Sequence, residues 1–254
     1  MTTSEYVSER DPALRVVFTI IMAVAIAVIG WVMMTISSSP TVKGASFLWL
    51  PAALQLVAGV WLGPWLGFLA GGLGAYAAGI LAYGGWGIVD IIMNPIAGGF
   101  ANAMLPGLLF RVFRVDPTLG VKKPGAVLSG GVRMLVLAIC VLGAGLLNMI
   151  LNLPVPWGFA LPLIVVFVGA PILLRGLQLD LRHFGLAIGI VFLICAVSAF
   201  IGAIGATVGG KPFMAALIDP GVGWFSGDTV SAVLGLYLLP LYTRRLQEAG
   251  IAEE

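Results

Sequence analysis

The sequence predicts an all-α fold: a polytopic transmembrane bundle of about eight helices with both termini in the cytoplasm. Three observations predict it. Hydrophobic residues make up 60% of the chain and charged residues only 9%, whereas a water-soluble domain carries about 25% charged residues. The apolar residues fall into runs of about 20, the length that crosses a hydrocarbon core. Positive residues gather in alternate connections between those runs, as they do in membrane proteins of fixed orientation.

Residues 1–14 begin MTTSEYVSER and carry Glu5, Glu9, Arg10 and Asp11. They lack the basic start and small-residue cleavage site of a signal peptide, so they read as a polar cytoplasmic tail. The first span follows at about 15–36, closed by Ser37-Ser38-Ser39-Pro40. The second, about 46–62, and the third, about 64–83, meet at Gly63-Pro64, a break short enough to demand a close antiparallel hairpin. Gly84-Gly85 precedes the fourth span, about 91–110. Asn94-Pro95 opens its apolar part and Pro106-Gly107 interrupts its inner half. Proline frees a backbone carbonyl and bends a helix, so this span is expected to be the irregular one. The polar segment 111–124 separates it from the fifth span, about 125–150. Asn152 to Pro156 leads to the sixth, about 158–174, and Arg175 to His183 leads to the seventh, about 185–207. Residues 208–226 form an outer connection, the eighth span runs about 227–243, and 246–254 is a cytoplasmic tail. The transmembrane domain is therefore 15–245, with no soluble domain and no low-complexity linker.

With the N-terminus inside, the inner segments hold Arg10, Arg15, Arg111, Arg114, Lys122, Lys123, Arg175, Arg182, Arg244 and Arg245. The outer segments hold only Lys43 and Lys211. This bias fixes the orientation and requires an even number of spans. Arg133 falls within the fifth span and is expected either to snorkel to the inner headgroups or to pair with a buried partner in a structural or mechanistic role. Small residues recur four apart at Gly67 and Gly71, Ala70 and Gly74, Ala75 and Gly79, Gly185 and Gly189, and Ala199 and Ala203. Such spacing lets helices approach closely in lipid, and its density in the third span marks that helix as central.

The two cysteines, Cys140 and Cys195, lie in apolar runs, and the only histidine, His183, sits beside Arg182 in a basic loop. The pattern offers no disulfide framework, metal cluster, phosphate-binding glycine loop or hydrolytic constellation. No catalytic residue, metal or cofactor is expected, and a net charge of +2 gives no reason for a nucleic-acid partner. The chemistry lies in polar residues that membrane burial makes expensive. Asp90, Asp228 and Asp219 map to the outer side with Trp49, Trp86, Trp157 and Trp224. Asn94, Asn148 and Asn152 fall in the outer ends of the fourth and fifth spans, and Gln55 lies deeper in the second. Carboxylates for charge, amides for hydrogen bonds and indoles for stacking suit a small polar or cationic solute. Interfacial anchoring also explains the tryptophans, a loop position explains Asp219, and helix capping explains Asp90 and Asp228.

Two family resemblances bear on this pattern. Gly59-Val-Trp-Leu-Gly-Pro64-Trp-Leu-Gly67, and the run from Asn94-Pro95 through Pro106-Gly107 into a basic loop, resemble the substrate-binding S components of energy-coupling factor importers. Ala23 and Ala27 are similar to the A-x-x-x-A pattern with which those proteins dock on a transmembrane coupling subunit, itself driven by partner ATPases. That family normally has six helices, fewer than are counted here. Phe47-Leu-Trp49-Leu-Pro51-Ala-Ala-Leu and Trp224-Phe-Ser-Gly227-Asp228 resemble the W-P-x-x-G-L and W-x-G-D segments of the eight-helix membrane-associated sensor domain of bacterial signalling proteins. Leu50 is inserted, Ala53 replaces the glycine, and no output domain follows. The first resemblance implies a non-enzymatic solute-binding importer subunit in a prokaryotic cell membrane, with Asp90, Asn94, Asp228, Asn148, Asn152 and the four tryptophans lining its site. The second implies a ligand- or membrane-sensing module that works through a partner; a structural subunit of a membrane complex is a third possibility.

Overall fold

The computed structural model describes residues 11–36, 48–84, 88–121, 127–151, 153, 157–173 and 178–252. In chain order these form α1 (Pro12–Ile36), α2 (Pro51–Leu62), α3 (Pro64–Tyr83), α4 (Ile88–Pro95), a π-helical stretch π1 (Ile96–Met104) and α5 (Leu105–Val112). There follow α6 (Val127–Leu151), α7 (Trp157–Leu173), α8 (Leu181–Val208), α9 (Phe213–Ala216), a second π-helical stretch π2 (Leu217–Gly221) and α10 (Val222–Glu248). No strand occurs among the described residues. Because α4, π1 and α5 are continuous, and α9, π2 and α10 follow without a gap, with a kink at Asp219 whose φ of −142° and ψ of 102° are not helical, the described elements make eight helical runs. Among the described residues, five helices are long and apolar enough to cross a membrane: Pro12–Ile36, Pro64–Ala82, Gly131–Asn148, Leu181–Val208 and Phe213–Glu248.

Helix α2 has 12 residues, about 18 Å of helix, and is shorter than the expected second span. Every residue of α2 except Leu54 is buried, so its length has no lipid thickness to match. Glycines let its neighbours reach its backbone. A Cβ on Gly59 would fall on the Ala103 carbonyl oxygen, and one on Gly67 of α3 would lie 2.5 Å from the Gly59 Cα. The α2–α3 hairpin turns at Gly63, whose φ of 89° is open to glycine and strained for other residues.

The irregularity expected in the fourth span is present. Pro95 ends α4 and π1 starts at the next residue; at its far end the Leu105 N–H bonds back to the Phe100 carbonyl, five residues earlier. The small residues of α3 serve one face only. Gly71 meets the Gly98 carbonyl and Gly74 meets Ile26 of α1, while Trp65, Leu69, Leu73, Ile80 and Leu81 point outward. The central helix is instead α10, buried almost continuously from Ser226 to Leu241. Gly185 and Gly189 of α8 have open space where a Cβ would stand, so among the described residues this small-residue pair meets no packing partner.

The basic residues converge on one end. The Arg15 guanidinium donates to the Leu62 carbonyl, joining the start of α1 to the end of α2. The Asp180 N–H donates to the Leu119 carbonyl at 2.9 Å, and the Asp116 N–H donates to His183 Nδ1 at 3.0 Å, seating the 113–121 turn on the start of α8. Arg244 donates to the Val121 carbonyl at 3.0 Å, bringing in the end of α10. Ile251 and Ala252, expected in a cytoplasmic tail, are buried against the bundle, with both amides bonded to the Leu246 carbonyl. At the opposite end the Trp49 N–H donates to the Gly227 carbonyl at 3.3 Å, and Lys211 pairs with Asp219 at 2.8 Å. Arg133 stands exposed on the second turn of α6.

Candidate functional site

Four polar side chains from four helical runs meet inside the bundle. Asn102 projects from π1, Asp228 from α10, Ser198 from α8 and Gln55 from α2. Asn102 Nδ2 donates to Asp228 Oδ2 at 3.0 Å and to Gln55 Oε1 at 3.2 Å. Ser198 Oγ donates to the same Asp228 oxygen at 2.6 Å. Relative exposures of 0% for Gln55, 1% for Ser198, 2% for Asn102 and 4% for Asp228 show that the cluster is sealed.

Local geometry explains how the residues meet. Burying Asn102 among apolar neighbours is costly unless its amide finds partners, and a π-helical turn alters which residues share the inward face. Gly98, also in π1, allows the approach of α2: a Cβ there would lie 2.7 Å from Gln55 Nε2 and 2.7 Å from the Ala75 Cβ. Asp228 is not a helix cap. The N-cap of α10 is Gly221, so Asp228 stands two turns into the helix with its carboxyl turned to the bundle. It lies about 9 Å from the start of α10, and Gln55 about 6 Å from the start of α2, at the helical rise. The cluster therefore sits towards the Trp49–Gly227 end, away from the basic end.

The polar inventory does not close. Gln55 Nε2 and Asn102 Oδ1 are buried without a hydrogen-bond partner. Among the described residues no basic side chain pairs with Asp228, whose partners are one amide and one hydroxyl. A carboxyl group, an unpaired acceptor and an unpaired donor thus lie within one cluster. Buried polar groups are normally satisfied, so two open valences beside a carboxyl group single out this cluster as a candidate site, although Asn148 Oδ1 and Ser231 Oγ are buried and unpartnered as well.

Of the residues singled out from the sequence, Asp228 is at the centre of this cluster. Trp49 is half-buried with its ring against Gly30 of α1, and Trp224 packs on Gly202 of α8, where a Cβ would fall 2.6 Å from its ring. Both indoles fill clefts between helices near the cluster's end of the bundle. Asn94 is half-buried on the last turn of α4. Asn148 is buried on α6 with Oδ1 unpartnered, and no hydrogen bond joins it to the Asp228 group. Trp86 and Asn152 lie outside the described residues. The backbone places Asp90 and Trp157 in the first turns of α4 and α7; their side chains lie outside the description. Ala23 and Ala27 belong to α1, which packs on α3: Ala27 is buried, and a Cβ on Gly74 would lie 2.8 Å from the Ala23 carbonyl. Asn102 and Ser198 went unmarked in the sequence, and Gln55 was noted only as a deep polar residue. The available signal was a neutral polar residue in the middle of an apolar run, such as Asn102 within Ala-Gly-Gly-Phe-Ala-Asn-Ala-Met.

Comparison of the chain with protein-family models, curated proteins and solved structures finds no match.

Proposed function

We propose that this chain is a multi-pass solute-binding module of a prokaryotic cell membrane, crossing it eight times with both termini in the cytoplasm. It binds a small polar molecule from the outer face at Asp228, Asn102, Gln55 and Ser198, catalyses no reaction and acts through partner proteins. The observation that carries this reading is the sealed cluster with unpaired Gln55 Nε2 and Asn102 Oδ1. A structural polar network closes its hydrogen bonds, whereas a binding site keeps some for its ligand. The positive-inside rule assigns the basic end to the cytoplasm and hence the cluster to the outer half. Trp49 and Trp224 form the lid of the site, and the Trp49–Gly227 hydrogen bond must open for a solute to pass.

The module takes one of two forms. An importer subunit would hand the solute on with energy from a coupling subunit and ATPases. A sensor-like module would pass a ligand-dependent shape change to a kinase or cyclase. One contact favours the sensor-like form: the Trp49–Gly227 hydrogen bond joins the two segments that carry that resemblance. The Ala23–Ala27 face, needed for docking in the importer form, is in large part taken up by α3.

Native mass spectrometry of the gently extracted chain tests both levels. Wild type is expected to retain a small molecule that the Asp228→Asn and Asn102→Ala variants lose. Equal retention by wild type and both variants would remove the cluster from the binding site. Co-purification with a kinase or cyclase selects the sensor-like form; a coupling subunit with ATPases selects the importer form.

A further inference from the structure

Resting on the reading of this cluster as the binding site, we infer its ligand class: a compact monovalent cation, arriving as Na+ or as the primary ammonium group of a small solute. Asp228 is 4% exposed, and among the described residues no lysine, arginine or histidine pairs with it. Its two partners, Asn102 and Ser198, are neutral donors that leave the negative charge uncompensated. A bare carboxylate inside a bilayer protein is expensive, and either a proton or a cation neutralises it.

The rest of the cluster decides between these. Asn102 Oδ1 is buried and unpartnered, and it belongs to the amide whose Nδ2 lies 3.0 Å from Asp228 Oδ2. Protonating Asp228 neutralises the charge and adds one O–H donor, but Asn102 turns its Nδ2 and not its Oδ1 to that carboxyl, so the added donor does not serve the unpartnered oxygen. A cation meets both needs, because carboxylate, amide carbonyl and hydroxyl oxygens are the hard donors that Na+ and ammonium prefer. Asp228, Asn102 and Ser198 bring several such oxygens together with one formal charge, while the open Gln55 Nε2 is a donor left for an acceptor that accompanies the cation, a water molecule or an oxygen of the solute. A single carboxylate matches a single positive charge. Among the described residues, no group of three His, Cys, Asp or Glu side chains forms the many-carboxylate cage expected for a divalent ion. Tight packing, with Gly98 needed to admit Gln55, suits a compact charge rather than a bulky quaternary one.

Thermal unfolding of the purified chain in detergent tests this at constant ionic strength. Choline chloride serves as the bulky reference and is replaced stepwise by sodium chloride in one arm and methylammonium chloride in the other. Wild type is expected to gain a few degrees in Tm, saturably, in at least one arm, as a ligand that binds only the folded state requires. A response to sodium alone identifies the inorganic ion, and a response to methylammonium alone identifies the ammonium group. Asp228→Asn should abolish the shift, and Asn102→Ala should raise the half-maximal concentration about tenfold, for loss of one ligand bond worth about 1.4 kcal/mol. No saturable shift in either arm overturns the inference, whether or not stability follows pH. An identical shift in Asp228→Asn also overturns it; should that variant fail to fold, an unchanged half-maximal concentration in Asn102→Ala does the same. Native mass spectrometry separates the two levels. A neutral solute released by the Asn102→Ala variant, with no cation response, refutes the cation and leaves the solute site standing; absence of both refutes both.

Discussion

Asn102 Nδ2 spans two acceptors, Asp228 and Gln55, and so connects π1 with α10 and α2. Replacing it with leucine removes both bonds and leaves Asp228 with Ser198 alone. Unpairing a buried polar group costs about 1–3 kcal/mol, so Asn102→Leu is expected to lower the unfolding midpoint clearly. Joining it to Asp228→Asn, which removes the uncompensated charge, should give a loss smaller than the sum of the two single losses. A double-mutant cycle by thermal unfolding in one detergent measures this, and strict additivity would show that the two side chains are not coupled. Asp228 was legible in the sequence because a carboxylate beside a spanning segment stands out. Asn102 and Ser198 were not, because neutral polar residues are common in membrane helices and acquire meaning only when several helices bring them together.

At the scale of elements, the start of α8 shows how a helix end is fixed outside the membrane. Asp180 is its N-cap, its carboxylate accepting from the Arg182 N–H at 2.8 Å and the His183 N–H at 3.2 Å. Those backbone bonds, His183's foremost, hold the carboxyl below the ordinary aspartate range. A group whose folded value is depressed adds stability above its unfolded value, about 3.9, and loses it as pH falls through the folded one. Acidification below about pH 4 should therefore loosen the first turn of α8, read as faster amide exchange at Arg182 and His183. Asp180→Asn, which caps without titrating, should flatten that acid dependence; an unchanged pH profile in the variant would discount the cap. Helix ends are only approximately visible in an apolar pattern. The seventh span was placed at 185–207 and α8 runs Leu181–Val208, because the polar first turn is helical through its cap rather than through hydrophobicity. Pro95 and Pro106 marked the irregular helix, yet nothing in the spacing showed that the break would be a π-helix of nine residues.

For the whole molecule, the segregation of charge was the most informative feature of the sequence, and the fold gathers Arg15, Arg182 and Arg244 at one end with Lys211 at the other. Orientation can be tested in intact cells. With Cys140 and Cys195 replaced by alanine, a single cysteine at Gly209 should react with an impermeant maleimide from outside. One at Glu248 should react only after the membrane is opened, and the reverse pattern would invert the topology. The central place of α10 was not legible, because its apolar pattern resembles its neighbours' and its burial comes from how α2, α6, α7 and α8 pack around it. The hydrogen bonds at the basic end join the starts of α1 and α8, the end of α2, the 113–121 turn and the end of α10. Asp228 lies 16 residues from Arg244 on the same helix, about 24 Å away at the helical rise. Mechanically α10 is a rod tied near both ends, by guanidinium and backbone bonds at the basic end and by the Asp228 cluster at the other, so a pull on its Arg244 end is carried along the rod to Asp228 and from there to α2, π1 and α8.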